Sequence, residues 1–129
     1  MSEITVTKYA NYVECCPCGV FDDNSLFQKY RELWTSDDYK PNKPEIHDLR
    51  SAKLAQVTVS GILRITGLSR QFHPKASKHP IALLADDERD NFYSRMACRL
   101  SAERNPNVRV FRDHDEAVEW VAAEGEHTP

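Results

Sequence analysis

The chain has 129 residues, of which 40% are hydrophobic and 29% are charged, with a formal net charge of −3. This length and composition are typical of one globular domain with its own core, and the weak negative charge argues against a nucleic-acid-binding protein, which would carry a basic excess. The longest aliphatic run, residues 81–85, is too short to cross a bilayer, and the N-terminus lacks the features of a signal peptide, so we expect a cytoplasmic protein.

The first third of the chain predicts a β-hairpin followed by a helix. Apolar and polar side chains alternate over residues 4–8, and a turn at residues 10–11 leads into a second strand over residues 12–20. Asp22 and Asp23 then supply N-cap oxygens for a helix. The apolar face of that helix repeats at offsets of three and four residues and consists of Leu26, Phe27, Tyr30, Leu33 and Trp34. We expect this aromatic stripe to be core rather than a cofactor surface.

The stretch over residues 45–61 is where we expect any ligand or regulatory chemistry, because ligands of open α/β sheets bind outside the carboxyl ends of strands. It predicts a short strand over residues 45–47 that ends in charge, then a loop. The region that follows, residues 56–66, is ambiguous. Its apolar residues alternate as they would in a strand, yet they also fit one stripe of a helix that extends to Phe72.

The second half predicts two more strands, each followed by a helix. Residues 80–85 form a continuous apolar run, suited to the buried centre of a sheet. Asp86 or Asp87 caps the next helix, which residues 105–107 terminate. A last short strand over residues 108–111 leads to a capping box and a C-terminal helix. The capping box pairs Asp113 with Glu116, and the inner face of the helix consists of Ala117, Trp120 and Val121.

Strands that alternate with helices after an initial hairpin indicate a single-domain α/β fold. The predicted sheet is mixed, has about four to five strands, and is flanked by helices. We assign residues 1–124 to this domain and residues 125–129 to a flexible C-terminal tail.

Short motifs along this framework resemble those of a known family. They are Asp48-Leu49-Arg50, the run Ile-Ala-Leu-Leu-Ala-Asp over residues 81–86, Ser94-Arg95-Met96, and residues 110–113 with 116–120. Together they look like the SpoIIAA-like proteins, which are related in fold to the STAS domains of anti-sigma-factor antagonists and to the SEC14 lipid-binding fold. The resemblance covers most of the chain, implies a mixed sheet flanked by helices, and favours a helix for residues 60–72.

The resemblance also implies a site of phosphorylation. In true antagonists the element after this strand begins with an Asp-Ser-Ser-Gly type of sequence, whose serine is phosphorylated by a partner kinase. The matching place here reads Thr58-Val59-Ser60-Gly61. The usual acceptor position is Val59, which cannot carry phosphate, so only Ser60 or Thr58 is able to take over. A hydroxyl group near a helix start is also a common cap, and we predict one of these two roles for each residue.

Three of the four cysteines form a cluster. Cys15, Cys16 and Cys18 occur as Cys-Cys-Pro-Cys, a spacing that matches neither the Cys-x-x-Cys redox motif nor a zinc ribbon. On a strand, Cys16 and Cys18 share one face and Cys15 lies on the other, so one ion would need a turn at Pro17 to collect all three. We expect reduced, small, buried or half-buried residues, with metal binding or redox activity as the alternative function.

Charged side chains follow several predicted strands and form a candidate ligand site. The five residues are Asp48, Arg50, Asp86, Arg95 and Arg112. If the strand ends are neighbours, these groups are able to bind a small polar ligand, but we favour a simple network of ion pairs.

A basic segment precedes the apolar run over residues 80–85. It contains Arg70, His73, Lys75, Lys78 and His79 together with two prolines. We expect a solvated loop here, with an anion or phosphate site as the alternative.

We recognise no catalytic constellation in the sequence. A nucleophile elbow and a phosphate-binding loop are both missing, and His47 and Asp48 point to opposite faces of a strand. We therefore predict a small non-enzymatic STAS-type module of bacterial character without a cofactor. Its expected partner is a protein or a small-molecule or lipid ligand, an apolar one by analogy with the SEC14 fold, and a homodimer is a further possibility.

Overall fold

The structure, a computed structural model, describes residues 2–37, 39, 43–72, 79–102 and 105–126. This part of the chain contains six strands and four helices. In chain order they are β1 (Glu3–Lys8), β2 (Val13–Asp22), α1 (Asp23–Thr35), β3 (Glu45–Asp48), β4 (Ala52–Gln56), α2 (Val59–Phe72), β5 (Ile81–Leu84), α3 (Glu88–Ser101), β6 (Val108–Phe111) and α4 (His114–Glu126).

All six strands belong to one mixed sheet. Its order is β1-β2-β3-β5-β6, and β4 pairs with the far end of β2. The predicted hairpin of β1 and β2 is antiparallel, whereas β3, β5 and β6 follow in parallel. The α/β class, the mixed sheet and the flanking helices are confirmed, but the sheet has six strands rather than four to five.

The helices cover the two faces of the sheet unequally. Helices α1, α2 and α3 form a continuous layer over one face, where the larger hydrophobic core lies. Helix α4 packs on β3, β5 and β6 from the other side, and there Ala117 and Val121 contact Ile46 and Ala82. Successive residues of β3 therefore point into two different cores.

The ambiguous region, residues 56–66, is helical from Val59, where α2 begins, and so agrees with the helix that the family resemblance favoured. Just before it, residues 52–56 form β4, a strand that the sequence analysis did not predict. In β4 the side chains of Ala52 and Leu54 are buried while those of the alternate residues are exposed. With only two buried side chains, this strand carries too weak an alternation to be recognised in the sequence.

Polar caps begin the helices close to the predicted positions. The Asp22 carboxylate accepts a hydrogen bond from the Ser25 backbone N–H at 2.8 Å, and the Ser25 hydroxyl accepts one from the Asp22 N–H. Asp87, rather than Asp86, caps α3. At the start of α4 the Asp113 carboxylate accepts from the Glu116 N–H at 3.1 Å. Each cap satisfies N–H groups that the first helical turn leaves without a backbone partner.

Helix α4 continues to Glu126, two residues into the segment assigned to the tail, and residues 127–129 lie outside the described residues. Among the helices that the structure describes, none combines the length and the apolar character needed to cross a membrane.

Candidate functional site

Four of the five charged residues predicted at the strand ends lie near one another in the structure, where β3, β5 and β6 end side by side. Arg50 donates two hydrogen bonds from its guanidinium to the Asp48 carboxylate, both at 3.0 Å. Arg112 instead donates to the Asp86 backbone carbonyl and to Glu88. Within the described part of the chain, no hydrogen bond or ion pair involves the exposed side chain of Arg95. These contacts are those of the ion-pair alternative, and ligand binding by the five residues stays a prediction.

The two candidate phosphoacceptors lie at the start of α2, and Asp23 on α1 holds one of them. The Asp23 carboxylate accepts from the Thr58 N–H at 2.8 Å and from the Thr58 hydroxyl at 2.6 Å. The Thr58 hydroxyl oxygen in turn accepts from the Gly61 N–H at 3.3 Å. Thr58 is therefore a helix cap. Ser60 is exposed in the first turn, and its phosphorylation stays a prediction.

The cysteine cluster divides between the faces of β2 as the alternation predicts. Cys15 is fully buried in the core beneath α1, whereas Cys16 and Cys18 are half-buried on the opposite face with their Sγ atoms 3.5 Å apart. A single ion cannot reach all three sulfurs, and the described residues contain no group of three or more His, Cys, Asp or Glu side chains placed to hold a metal. The three cysteines therefore do not converge on one ion in the described part of the chain.

The basic segment is only partly described. Residues 73–78, with His73, Lys75 and Lys78, lie outside the described residues. Arg70 donates to the Leu100 backbone carbonyl at 3.1 Å. His79 contradicts the expectation of a solvated loop, because only 3% of its surface is exposed. Its imidazole is held inside the protein by a carboxylate that the sequence analysis overlooked.

That carboxylate belongs to Glu45, the first residue of β3, and it is the centre of a buried polar network. Oε1 accepts a hydrogen bond from His47 Nε2 at 2.7 Å, and Oε2 accepts from the Tyr39 hydroxyl at 2.7 Å and from His79 Nε2 at 3.0 Å. On the other side of the ring, His47 Nδ1 and the Tyr30 hydroxyl form a hydrogen bond of 3.1 Å. Five side chains are thus joined by hydrogen bonds into one network. They come from β3, α1 and two connecting segments.

The network keeps the Glu45 carboxyl ionised in the protein interior. Burial by itself would raise the pKa of Glu45, but the hydrogen bonds and charges of His47 and His79 outweigh it and lower the pKa to about 2. Burial, reinforced by the nearby Glu45 charge, raises the pKa of both Tyr30 and Tyr39, so the two phenols stay protonated. They therefore form hydrogen bonds as hydroxyl groups and do not act as phenolate nucleophiles.

Sequence reasoning found part of this network. The opposite orientation of His47 and Asp48 was predicted and is observed, because Asp48 lies on the α4 side of β3. The same alternation places the side chains of Glu45 and His47 on one face of β3. The sequence therefore contains the signal for this pair, although it was not used above. His79 and Tyr39 approach Glu45 only through the tertiary fold.

Beside the network lies a cavity of about 160 Å³ between the sheet and helices α1, α2 and α3. Glu45 and His47 form part of its wall, and the aromatic rings of Tyr30, Trp34 and Tyr93 form another part. Most of the remaining wall is aliphatic, with Leu26, Leu54, Ile62, Ile65, Ile81 and Leu83. The site is therefore a mainly apolar chamber, and on its sheet side the polar groups of Glu45 and His47 are already hydrogen-bonded.

The fold is confirmed by comparison with known proteins. An uncharacterised protein of the DUF3478 family from Shewanella loihica PV-4, with a SpoIIAA-like fold, superposes with a TM-score of 0.59 at 12% identity, over 94% of this chain and 95% of its own. An anti-sigma factor antagonist from Mycobacterium paratuberculosis superposes with a TM-score of 0.54 at 14% identity, over 94% of each chain. No protein-family model and no curated protein matches the sequence. The chain thus has the SpoIIAA-like fold that its motifs predicted.

Proposed function

We propose that this SpoIIAA-like chain is a small non-enzymatic regulatory module that binds one small, mainly apolar molecule in the cavity between its sheet and helices α1–α3. The cavity carries the proposal. Its volume of about 160 Å³ is close to that of an engineered apolar cavity of about 150 Å³ that binds benzene. A pocket of mostly hydrophobic walls with a few polar groups is the usual form of a small-molecule site.

The bonding of the polar wall supports binding rather than catalysis. Both ring nitrogens of His47 are engaged, one with Glu45 and the other with Tyr30. The Glu45 carboxylate accepts from three donors and is held ionised. His47 therefore has no free ring nitrogen to act as a base, and most of the acceptor positions of Glu45 are already occupied. The network therefore fixes the shape of the chamber.

The regulatory part of the proposal concerns how ligand binding would be passed on to a partner. One of the structural neighbours is named an anti-sigma factor antagonist, which favours a protein partner. In our proposal ligand occupancy changes the packing of α1, α2 and α3 and so alters the surface offered to that partner, or to a second copy of the chain, in the cytoplasm.

A hydrocarbon probe tests the proposal. A ligand that binds only the folded state raises the melting temperature, so toluene-saturated buffer should raise that of the natural protein. Ala97 lines the cavity, and an Ala97→Leu variant should lose the shift because the added side chain occupies the chamber. Ala55, exposed on β4, provides the matched control Ala55→Leu, which should keep it. No shift in the natural protein, or equal shifts in both variants, would contradict cavity binding.

The cysteine pair carries a second candidate function. The 3.5 Å between the Sγ atoms of Cys16 and Cys18 favours reversible disulfide formation within β2. Two thiols would form one S–S bond and release two protons, with two electrons passing to a disulfide oxidant such as oxidised glutathione. Burial and the neighbouring Cys18 raise the pKa of Cys16 to about 11, so the reaction should accelerate with rising pH.

Intact mass after treatment with oxidised glutathione tests this candidate. We expect a loss of about 2 Da that dithiothreitol reverses, since one S–S bond replaces two S–H groups. The Cys16→Ser variant should lose the response and Cys98→Ser should retain it. A glutathione adduct in place of the 2 Da loss would show that the two sulfurs do not pair.

A further inference from the structure

Helix α3 presents one polar face to the cavity. Asp90, Ser94, Ala97 and Ser101 lie at offsets of three and four residues, and all four line the chamber. Side chains at such offsets lie on one side of a helix, with about 5–6 Å between neighbouring Cβ atoms. Asp90 and Ser94 are thus adjacent in the same wall, across the cavity from the sheet.

The hydroxyl group of Ser94 is the unexplained atom of this wall. Ser94 is 3% exposed, and its Oγ finds no hydrogen-bond partner among the residues that the structure describes. Buried polar groups in native proteins are almost always hydrogen-bonded, and an unsatisfied one needs an explanation. A bound molecule that reaches Ser94 provides the missing partner.

Asp90 adds a carboxylate next to that hydroxyl. It is half-buried, and its side chain accepts no hydrogen bond from any described residue. Burial and the charge of Asp87 raise its pKa, so this carboxyl ionises less readily than an exposed aspartate does. A positive charge inside the cavity would reverse that effect, because an opposite charge at close range favours the ionised carboxylate.

Other polar groups of the wall are already engaged. Glu45 and His47 belong to the buried network, and the Thr66 hydroxyl donates to the Ile62 backbone carbonyl at 2.8 Å. Among the described residues, Asp90, Ser94 and Ser101 line the chamber with side-chain oxygens that have no such bond. A ligand that satisfies them must carry a hydrogen-bond donor on an otherwise apolar body.

We propose that the ligand of this cavity is a small apolar amine, whose hydrocarbon part lies among the aliphatic and aromatic side chains and whose ammonium group donates to Asp90 and Ser94. This inference rests on the proposed function, and it names the ligand class. A protonated amine has several N–H donors on one nitrogen and so serves two acceptors at once.

Three probes that share a benzyl group test the inference: toluene, benzyl alcohol and benzylamine. Each is titrated at pH 7, and binding is measured by tryptophan fluorescence or calorimetry. We expect benzylamine to bind at least tenfold more tightly than toluene, with benzyl alcohol in between. The near-isosteric Asp90→Asn variant should lose at least tenfold in benzylamine affinity and keep its toluene affinity. Asp115→Asn is the matched control and should change neither affinity, because Asp115 is an exposed carboxylate on α4 that does not line the cavity.

The outcomes separate this inference from the proposed function. Toluene binding as tight as benzylamine binding, or benzylamine affinity unchanged in Asp90→Asn, overturns the amine while cavity binding stands. Benzyl alcohol binding as tight as benzylamine binding also overturns it and indicates a neutral donor. Failure of all three probes to bind overturns both. Ser94→Ala should weaken both polar probes and leave toluene unaffected, which confirms the position of the donor group.

Discussion

At the scale of single residues, the most unusual group is the Glu45 carboxylate, because carboxylates are rare in a protein interior. Glu45 is 1% exposed, and an ionised group at such a depth must be paired or neutralised. Two imidazoles and one phenol donate to it. The alternation along β3 predicts that Glu45 and His47 share a face, but no local pattern predicts the approach of His79, because it comes from a segment 34 residues away.

Removal of the Glu45 charge should therefore destabilise the protein strongly. The Glu45→Gln variant keeps the shape but replaces one acceptor oxygen with a donor that faces other donors. Breaking a buried pair in this way costs about 3–5 kcal/mol of unfolding free energy. Glu32→Gln is the control, because the exposed Glu32 carboxylate has only one hydrogen bond within the described residues, to Lys29 at 3.4 Å. Urea denaturation measures both, and equal midpoints for the two variants would show that the network contributes nothing.

The same residue predicts how stability depends on pH. Since the pKa of Glu45 is about 2 in the folded protein and about 4.3 in an unfolded chain, its contribution is fully present above pH 5 and is lost as the pH falls towards 2. The unfolding free energy of the natural protein should decrease over this range. Glu45→Gln should show a shallower decrease, and parallel curves for the two proteins would contradict the assignment.

At the scale of elements, the junction of α1 and α2 depends on a close approach. Asp23 lies against the start of α2, and a Cβ added at Gly61 would collide with its carboxylate. Thr58 holds that carboxylate by two hydrogen bonds, so Asp23 cannot move aside without losing them. The motif Ser60-Gly61 suggested a helix start, but no sequence pattern indicated that Asp23 of α1 would contact it.

Two glycines in α2 give a matched pair of variants. Gly67→Ala should raise the unfolding free energy by about 0.5–1 kcal/mol, because Gly67 has open space around it and alanine favours a helix. Gly61→Ala should instead lower it by about 1–2 kcal/mol, since a hydrogen bond to the charged Asp23 is lost. Thermal unfolding of both variants measures the difference. If the two substitutions stabilise α2 equally, the Asp23 contact does not restrain the helix.

Element prediction from the sequence succeeded where periodicity was strong and failed where it was weak. The stripe of α1 is a complete amphipathic face, and Asp22 and Asp87 are clear caps. In contrast, β4 contains alanine, lysine, leucine and glutamine, all good helix formers. Its pairing with β2, where Gly19 opposes Ala52, sets its conformation, so tertiary context overrides local preference.

At the scale of the whole molecule, unequal covering of the sheet creates the cavity. One helix closes the α4 side, where Ile46, Ala82, Ala117 and Val121 are completely buried. Three helices share the other side, and their junction over β3 and β5 leaves the chamber unfilled. The sequence predicts which residues are apolar, but a gap between three helices depends on their relative positions, which no single-element pattern contains.

The proposal that an apolar ligand binds in the cavity is tested most directly by locating a bound hydrocarbon. Methyl NMR spectra of the full chain, recorded with increasing benzene, should show shifts in the cavity-lining methyl groups of Leu26, Ile62, Ile65 and Leu83. The methyl groups of Ala117 and Val121, on the α4 side of the sheet, should stay unchanged and act as internal controls. Shifts confined to the α4 side, or no saturable shift in the cavity methyl groups, would contradict the claim that this fold binds an apolar ligand between its sheet and α1–α3.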